Sequence, residues 1–195
     1  MQETELGLLK KFCDSILPLN AEEWNAFASG WQTVTVKRKT VLTVAGETER
    51  YLYFVVEGVQ RAFYLGDDNQ EATIVFTYPH SFSGVADSFL TQTPSAYFLE
   101  TITASHLLRT DHARIAALQQ QYPAIASMIF KATAFALKGA LERHIELQCF
   151  SNEEKFRVLL KRSPHILQIV PHKYLASYLG IDPTNFSKLL HTVKI

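Results

Sequence analysis

The apolar residues of this 195-residue chain lose their alternating spacing near Asp111, and this change restricts the fold more than any other feature. Between residues 31 and 103 they alternate with polar residues in short runs, separated by turns such as 57–58 and 66–69. After Asp111 they recur at helical spacing instead. Strands followed by helices predict an α+β chain, with an antiparallel β-roll of jelly-roll type before the helices.

The predicted elements can be placed from caps and runs. Asn20 and Glu23 have the form of a helix start, so residues 3–29 are predicted to form short helices. The alternating runs that we assign to strands are 34–36, 41–44, 51–56, 61–65, 72–78 and 96–103.

A single long helix is predicted from Pro123, which suits the first helical position, to Cys149. Two apolar stripes run along it, and they consist of Ile125, Ile129, Ala132, Ala136 and Gly139 and of Phe130, Ala134, Leu137, Leu141 and Ile145. A helix on its own domain needs only one apolar stripe, so the additional stripe with small residues predicts a partner helix in a twofold dimer. Burial of both stripes inside one domain is the alternative.

Basic residues are concentrated after residue 150. Residues 151–195 contain seven Lys or Arg and three Asp or Glu, a net charge of +4 in a chain whose total is zero. This favours a polyanionic partner, although a solvated helical surface has the same composition. Ser151 and Glu154 match a capping box and open a new module. We therefore divide the chain into a β-roll domain (1–120), a dimerisation helix (121–149) and a small helical domain (150–195).

The last domain contains a helix, a glycine turn and a second, capped helix. Leu175, Ala176 and Leu179 define the first helix and Gly180 stops it, while Asp182 and Pro183 begin the second. This is the layout of a helix-turn-helix. The string Leu-Ala-x-x-Leu-Gly-Ile-x-Pro-x-x-x-Ser-Lys at 175–188 resembles the helix-turn-helix of Crp/Fnr transcription regulators, particularly the short forms found in Bacteroidetes.

The resemblance implies binding of double-stranded DNA by a homodimer, with the second helix in the major groove. An Asn there can read adenine, and a Lys can contact guanine or phosphate. The candidate DNA-binding residues are His172, Lys173, Pro183, Thr184, Asn185, Ser187 and Lys188. Pro183, Thr184 and Lys188 replace Arg, Glu and Arg of the catabolite-activator pattern, so the operator sequence cannot be transferred.

The resemblance extends to the β-roll, where 46–47, 51–58 and 61–64 look like the first strands of the family's cyclic-nucleotide-binding domain. It implies a pocket for a small-molecule effector, with the candidate residues Gly84, Val85, Asp87, Pro94, Ser95 and Ala96. Val85 and Pro94 stand where the family has the Glu and Arg that hold ribose and cyclic phosphate. We therefore expect weak binding of cyclic AMP, or a different effector, and we assign no cofactor.

Other classes of function find little support in the sequence. Motifs of hydrolases, phosphate-binding loops and metal sites are absent, so we predict neither an enzyme nor a metal centre. Cys13 and Cys149 are predicted to be reduced thiols, and the chain is predicted to be cytoplasmic, without membrane contact. RNA polymerase is a further candidate partner. The alternative function is a ligand-sensing dimer that acts through protein contacts without binding DNA.

Overall fold

A computed structural model describes residues 4–68 and 70–193, so Asn69 of the predicted turn at 66–69 lies outside the described residues. Among these residues two helices precede the strands, one short helix lies between two of the strands, and six helices follow them. The elements are α1 (Glu5–Ile16), α2 (Ala21–Ala28), β1 (Gln32–Val36), β2 (Val41–Thr43), β3 (Tyr51–Glu57), β4 (Gln60–Leu65), β5 (Glu71–Thr77), β6 (Phe82–Ser83), α3 (Ala86–Thr91), β7 (Phe98–Thr101), β8 (Ser105–Asp111), α4 (His112–Gln121), α5 (Pro123–Cys149), α6 (Asn152–Arg162), α7 (Ile166–Ile169), α8 (His172–Leu179) and α9 (Pro183–Thr192).

The strands form two four-stranded antiparallel sheets, which together make the predicted β-roll. The first sheet has the order β1-β8-β3-β6, and the second has the order β2-β7-β4-β5. Side chains from both sheets meet inside the roll, where Tyr53, Val55, Ala62, Leu99 and Leu107 are buried. The predicted α+β fold class is thereby confirmed.

Helices cover the outer faces of both sheets. The first sheet packs against α1, α2 and the first turns of α5, around Phe54, Leu108 and Met128. Phe76 of β5, together with Val59 and Ile102 next to the ends of β4 and β7, belongs to the apolar cluster of the C-terminal helices. The roll and the C-terminal helices therefore share one core cluster.

The central strand β8 was not predicted from the sequence. Its neighbours Leu107 and Leu108 are both buried, the first inside the roll and the second under the helices. Because both faces of this strand are covered, the alternation that marks a half-exposed strand is missing. The strand predicted at 96–103 is confined to β7, and the short α7 was also missed.

The helices after residue 111 begin and end at the predicted signals. Pro123 occupies the first turn of α5, and the Ser151–Glu154 capping box is formed at the start of α6. Gly180 ends α8 in the left-handed conformation, with φ of 62°. The division at 120 and 150 stays a prediction, although α5 reaches from Pro123 to Cys149 between the two groups of elements.

Candidate nucleic-acid interface and effector pocket

The helix-turn-helix geometry arises from a glycine and an aspartate. The positive φ of Gly180 reverses the chain after α8, a conformation that a residue without Cβ adopts at little cost. The Asp182 side chain then accepts hydrogen bonds from the backbone N–H of Thr184 (2.8 Å) and of Asn185 (3.4 Å). Phe186 is buried against α8 and α6, which fixes the face of α9 that points outward.

All seven candidate DNA-binding residues are exposed in the structure. His172, Lys173, Pro183 and Ser187 line one shallow depression between α8 and α9, together with Ala176. Thr184, Asn185 and Lys188 lie outside this depression, on the exposed side of α9. The exposed surface of α9 is thus polar, and its one candidate lysine is Lys188. The other candidate lysine, Lys173, lies at the start of α8.

The helix-turn-helix is attached to the long helix α5 through a buried ion-pair cluster. Arg143 and Glu146, 8% and 5% exposed, are bonded to each other at 2.9 Å. Arg143 also donates to the Tyr178 carbonyl of α8, and Arg162 of α6 pairs with Glu146. Because each buried charge has an opposite charge beside it, the cluster joins α5, α6 and α8 without an unpaired ion.

The predicted effector pocket contains a buried carboxylate that the sequence analysis missed. Glu49 is 1% exposed, and its oxygens accept hydrogen bonds from the Thr43 hydroxyl (2.5 Å), the Val85 N–H (3.1 Å) and the Tyr51 N–H (3.2 Å). Gly84 beside it has a φ of 135°, and a Cβ there would lie only 3.2 Å from the Tyr51 carbonyl, so the backbone at this point favours glycine. The donors around the Glu49 carboxyl group are thus already used.

The remaining pocket candidates divide between buried and exposed positions. Ser95 is buried, but its hydroxyl donates to the Tyr97 carbonyl (2.7 Å) and accepts from the Tyr97 N–H (2.9 Å). Asp87, Pro94 and Ala96 are exposed on the surface of the roll. The structure therefore brings Gly84 and Val85 together with Glu49, while the other candidates do not join this carboxylate.

One cation does face the interior of the roll, namely Arg109 of β8. It pairs with Tyr53 across the sheet, and its guanidinium lies 4.7 Å from the Tyr51 ring centroid. Its buried Nε has no hydrogen-bond partner among the described residues. Burial raises the pKa of the Tyr53 hydroxyl, and the Glu49 charge acts in the same direction while Arg109 opposes it. The interior thus contains one carboxylate and one guanidinium.

The helix α5 leaves much apolar surface exposed. Ile125, Met128 and Ile129 are buried against the roll, but further along the helix Phe130 is 73% exposed and Leu141 is 57% exposed. Among the described helices, α5 alone has the length and apolar composition that could cross a membrane. Both predicted stripes are uncovered beyond its first turns.

Comparison with known proteins identifies the class to which this architecture belongs. Residues 33–122 match the family of cyclic nucleotide-binding domains. No curated protein matches the sequence of this chain.

Solved structures share the fold over most of the chain. FixK2 from Bradyrhizobium japonicum is 16% identical, with a TM-score of 0.75 and coverage of 83% of both chains. A protein of Eubacterium rectale assigned to the Crp/Fnr regulators is 15% identical, with a TM-score of 0.68 and coverage of 89% of this chain and 82% of that chain. The c-di-GMP-responsive regulator CLP of Xanthomonas campestris is 17% identical, with a TM-score of 0.63 and coverage of 88% and 90%.

Residues 33–122 therefore correspond to a cyclic nucleotide-binding domain, and the chain shares the fold of a solved Crp/Fnr regulator, as the sequence resemblance predicted.

Proposed function

We propose that this protein is a DNA-binding transcription regulator of Crp/Fnr type, which binds palindromic operators as a homodimer under the control of an effector sensed by the β-roll. The observation that carries the proposal is the outward polar face of α9, where Thr184, Asn185 and Lys188 are exposed after the Gly180 turn. Such a face presents amide, hydroxyl and ammonium groups, the kinds of group with which DNA-binding proteins contact base edges and phosphates.

Dimerisation is supported by the uncovered part of α5. A Cβ at Gly139 would meet no atom within 4 Å, so nothing within this chain requires a glycine there. Glycine in a helix interior costs about 1 kcal/mol relative to alanine, and close approach of a second helix compensates for that cost. The exposed Phe130, Leu137 and Leu141 on the neighbouring stripe supply apolar area for the same contact.

The effector is proposed to be something other than cyclic AMP. Val85 already donates its N–H to Glu49, so a phosphate would meet a carboxylate instead of a free donor. Pro94 stands where the family has an Arg, and the inward Arg109 belongs to β8, whereas Pro94 lies between α3 and β7. No group is proposed for catalysis, and the described residues hold no cluster of metal-ligating side chains. The site of action is proposed to be the cytoplasm, with RNA polymerase as a partner.

The proposal is tested by selection from a pool of random duplexes, performed with and without cyclic AMP. We expect enrichment of a palindrome with half-sites about one helical turn apart, and the same enrichment in both conditions. Failure to enrich any sequence at low salt would refute the proposal. Enrichment that depends on cyclic AMP would refute only the assignment of the effector.

The second candidate function is a ligand-sensing dimer that acts through protein contacts alone. It is favoured by the low charge of α9, whose exposed candidate residues include one cation, Lys188. A regulator that contacts phosphates loses affinity steeply as salt rises, because counterions are released on binding. Absence of duplex binding, together with a stable dimer, would support this second function.

A further inference from the structure

One face of α8 lies on the outer surface of the roll's second sheet. Tyr174, Ser177 and Tyr178 share this face at positions i, i+3 and i+4. The Tyr178 ring lies 5.1 Å from the ring of Phe76 on β5. Leu175 and Leu179, on the neighbouring face of α8, are buried within the C-terminal helices. The first helix of the helix-turn-helix therefore touches both its own domain and the roll.

Beneath α8 the roll buries an arginine with two carboxylates. The Arg61 guanidinium, 1% exposed as a residue, donates to Glu71 at 2.6 and 2.9 Å, to Glu100 at 2.6 Å and to the Thr73 hydroxyl at 3.1 Å. We call Arg61, Glu71, Thr73 and Glu100 the Arg61 cluster. The Arg61 hydrogen bonds hold the pKa of Glu71 below its usual value against the effect of burial, and Lys173 adds to the lowering.

Tyr174 covers this cluster from the side of the helix-turn-helix. Its ring centroid lies 3.6 Å from the Arg61 guanidinium carbon, closer than the Phe63 ring of the roll at 4.1 Å. All members of the cluster belong to β4, β5 and β7, so the roll supplies the charges and α8 supplies the cover. A desolvated guanidinium under an aromatic ring gains more from the ring's electrostatic field than an exposed one.

Ser177 completes the contact by bonding the free edge of the sheet. β5 is the last strand of the second sheet, so one side of its backbone has no strand partner in the part of the chain that the structure describes. The Ser177 hydroxyl accepts from the Thr73 N–H at 2.9 Å and donates to the Glu71 carbonyl at 3.0 Å. One side chain of α8 therefore satisfies two groups of the edge strand that would otherwise need water.

We infer that Tyr174 and Ser177 are positioning residues for DNA recognition, because they fix the helix-turn-helix on the roll while the polar face of α9 stays exposed. The inference rests on the proposed DNA binding. A palindromic operator needs two recognition helices about 34 Å apart. If the helix-turn-helix could move relative to the roll, each binding event would carry the entropic cost of fixing its position. The contact of Tyr174 and Ser177 with the roll fixes this position before DNA binds. Loss of the contact should therefore lower operator affinity, although no DNA-contacting residue is changed.

Two variants and two matched controls test the inference. Tyr174→Leu removes the aromatic cover, whereas Tyr174→Phe keeps the ring above Arg61. Ser177→Ala removes both bonds to β5, whereas Ser15→Ala removes an exposed hydroxyl on the distant helix α1. The Thr73 amide reports docking directly, because its hydrogen exchange with solvent is slowed by the bond to Ser177.

We expect at least about tenfold faster exchange at Thr73 in Tyr174→Leu and Ser177→Ala, with β4 and β7 unchanged. Their affinity for the selected operator should fall about fivefold to tenfold, while binding to unrelated duplex is retained. Tyr174→Phe and Ser15→Ala should behave as the wild type.

Unchanged exchange at Thr73 in both variants, or faster exchange with unchanged or raised operator affinity, would overturn the inference. A wild-type protein that binds no duplex would refute the proposed function, and with it the role in recognition. In that case faster hydrogen exchange at Thr73 in the two variants would still identify the contact between α8 and the roll. Failure of the proposed DNA binding can therefore be distinguished from failure of the inferred contact.

Discussion

At the scale of single residues, Glu49 is the least expected feature of the roll, because a carboxylate with 1% exposure is stable only when its oxygens are bonded. Replacement by alanine leaves the Thr43 hydroxyl and the N–H groups of Tyr51 and Val85 without their acceptor. We expect Glu49→Ala to lower the free energy of unfolding by about 2 to 4 kcal/mol, as measured by urea denaturation. The exposed Glu47→Ala should change it by less than about 0.5 kcal/mol. Equal effects of the two changes would show that Glu49 is not held as described.

Lys188 is the residue through which the recognition surface can be tested most directly. It is exposed on α9, and a Lys that contacts phosphate releases counterions when DNA binds. We expect Lys188→Ala to weaken binding to all duplexes and to reduce the slope of log affinity against log salt by about one. Relaxed preference at one base pair, with the slope unchanged, would instead place Lys188 on a base.

The matched control for this change is Lys37→Ala, which removes an exposed cation from the roll. It alters the net charge equally but leaves α9 intact. A loss of affinity as large as that of Lys188→Ala would mean that net charge, and not the α9 surface, determines binding.

At the scale of elements, the N-terminal helix α1 is fastened to the first sheet by a polar cluster. Glu5 accepts from the Thr33 hydroxyl at 2.7 Å and lies 2.6 Å from His106 Nε2 of β8. The hydrogen bond with His106 lowers the pKa of the Glu5 carboxyl below its usual value of 4.5. A lowered pKa means that the stabilisation is present above pH 4.5 and is lost as the pH falls from there through the lowered value.

We therefore expect Glu5→Gln to be less stable than the wild type at neutral pH, by about 1 kcal/mol or less because the pair is partly exposed. The difference should shrink as the pH falls below 4.5 and disappear below the lowered pKa of Glu5, where the carboxyl of the folded wild type is protonated as well. The difference in stability is measured from the midpoints of urea unfolding of both proteins between pH 3 and pH 7. A constant difference over this range would exclude the carboxylate as the source.

The elements differ in how far the sequence determined them. The helix-turn-helix was predicted because Gly180, Asp182 and Pro183 act locally, through φ and through capping. β8 was missed because tertiary packing covers both its faces, and such burial leaves no alternation in the sequence. Glu49 was missed because its significance depends on Val85, 36 positions away, whose N–H it accepts. Helix caps and turns depend on neighbouring residues and could therefore be predicted from the sequence, whereas hydrogen bonds between residues far apart in the chain could not.

At the scale of the whole molecule, the helix-turn-helix is held at two places. The Arg143–Glu146 cluster ties α8 to the long helix α5, and the Arg61 cluster ties α8 to the second sheet of the roll. In each attachment a group of α8 lies on a buried guanidinium: the Tyr178 carbonyl on Arg143 and the Tyr174 ring on Arg61. Each guanidinium is also paired with a carboxylate of the chain. The position of α9 therefore depends on the geometry of α5 as well as on that of the roll, and α5 is the helix with the most uncovered apolar surface.

The proposed dimer should consequently be separable from the fold of each protomer. Leu141 is 57% exposed on α5, so an aspartate there is solvated in an isolated protomer and costs it little. In a twofold dimer the change acts twice, removing two buried leucines and introducing two carboxylates, at a cost of roughly 3 kcal/mol or more. We expect Leu141→Asp to sediment as a folded monomer with weakened operator binding, since one recognition helix contacts only one half-site. Leu141→Met, which keeps the volume and the apolar character, should remain dimeric. A Leu141→Asp protein that stays dimeric and binds the operator normally would place the dimer contact on another surface than this stripe of α5.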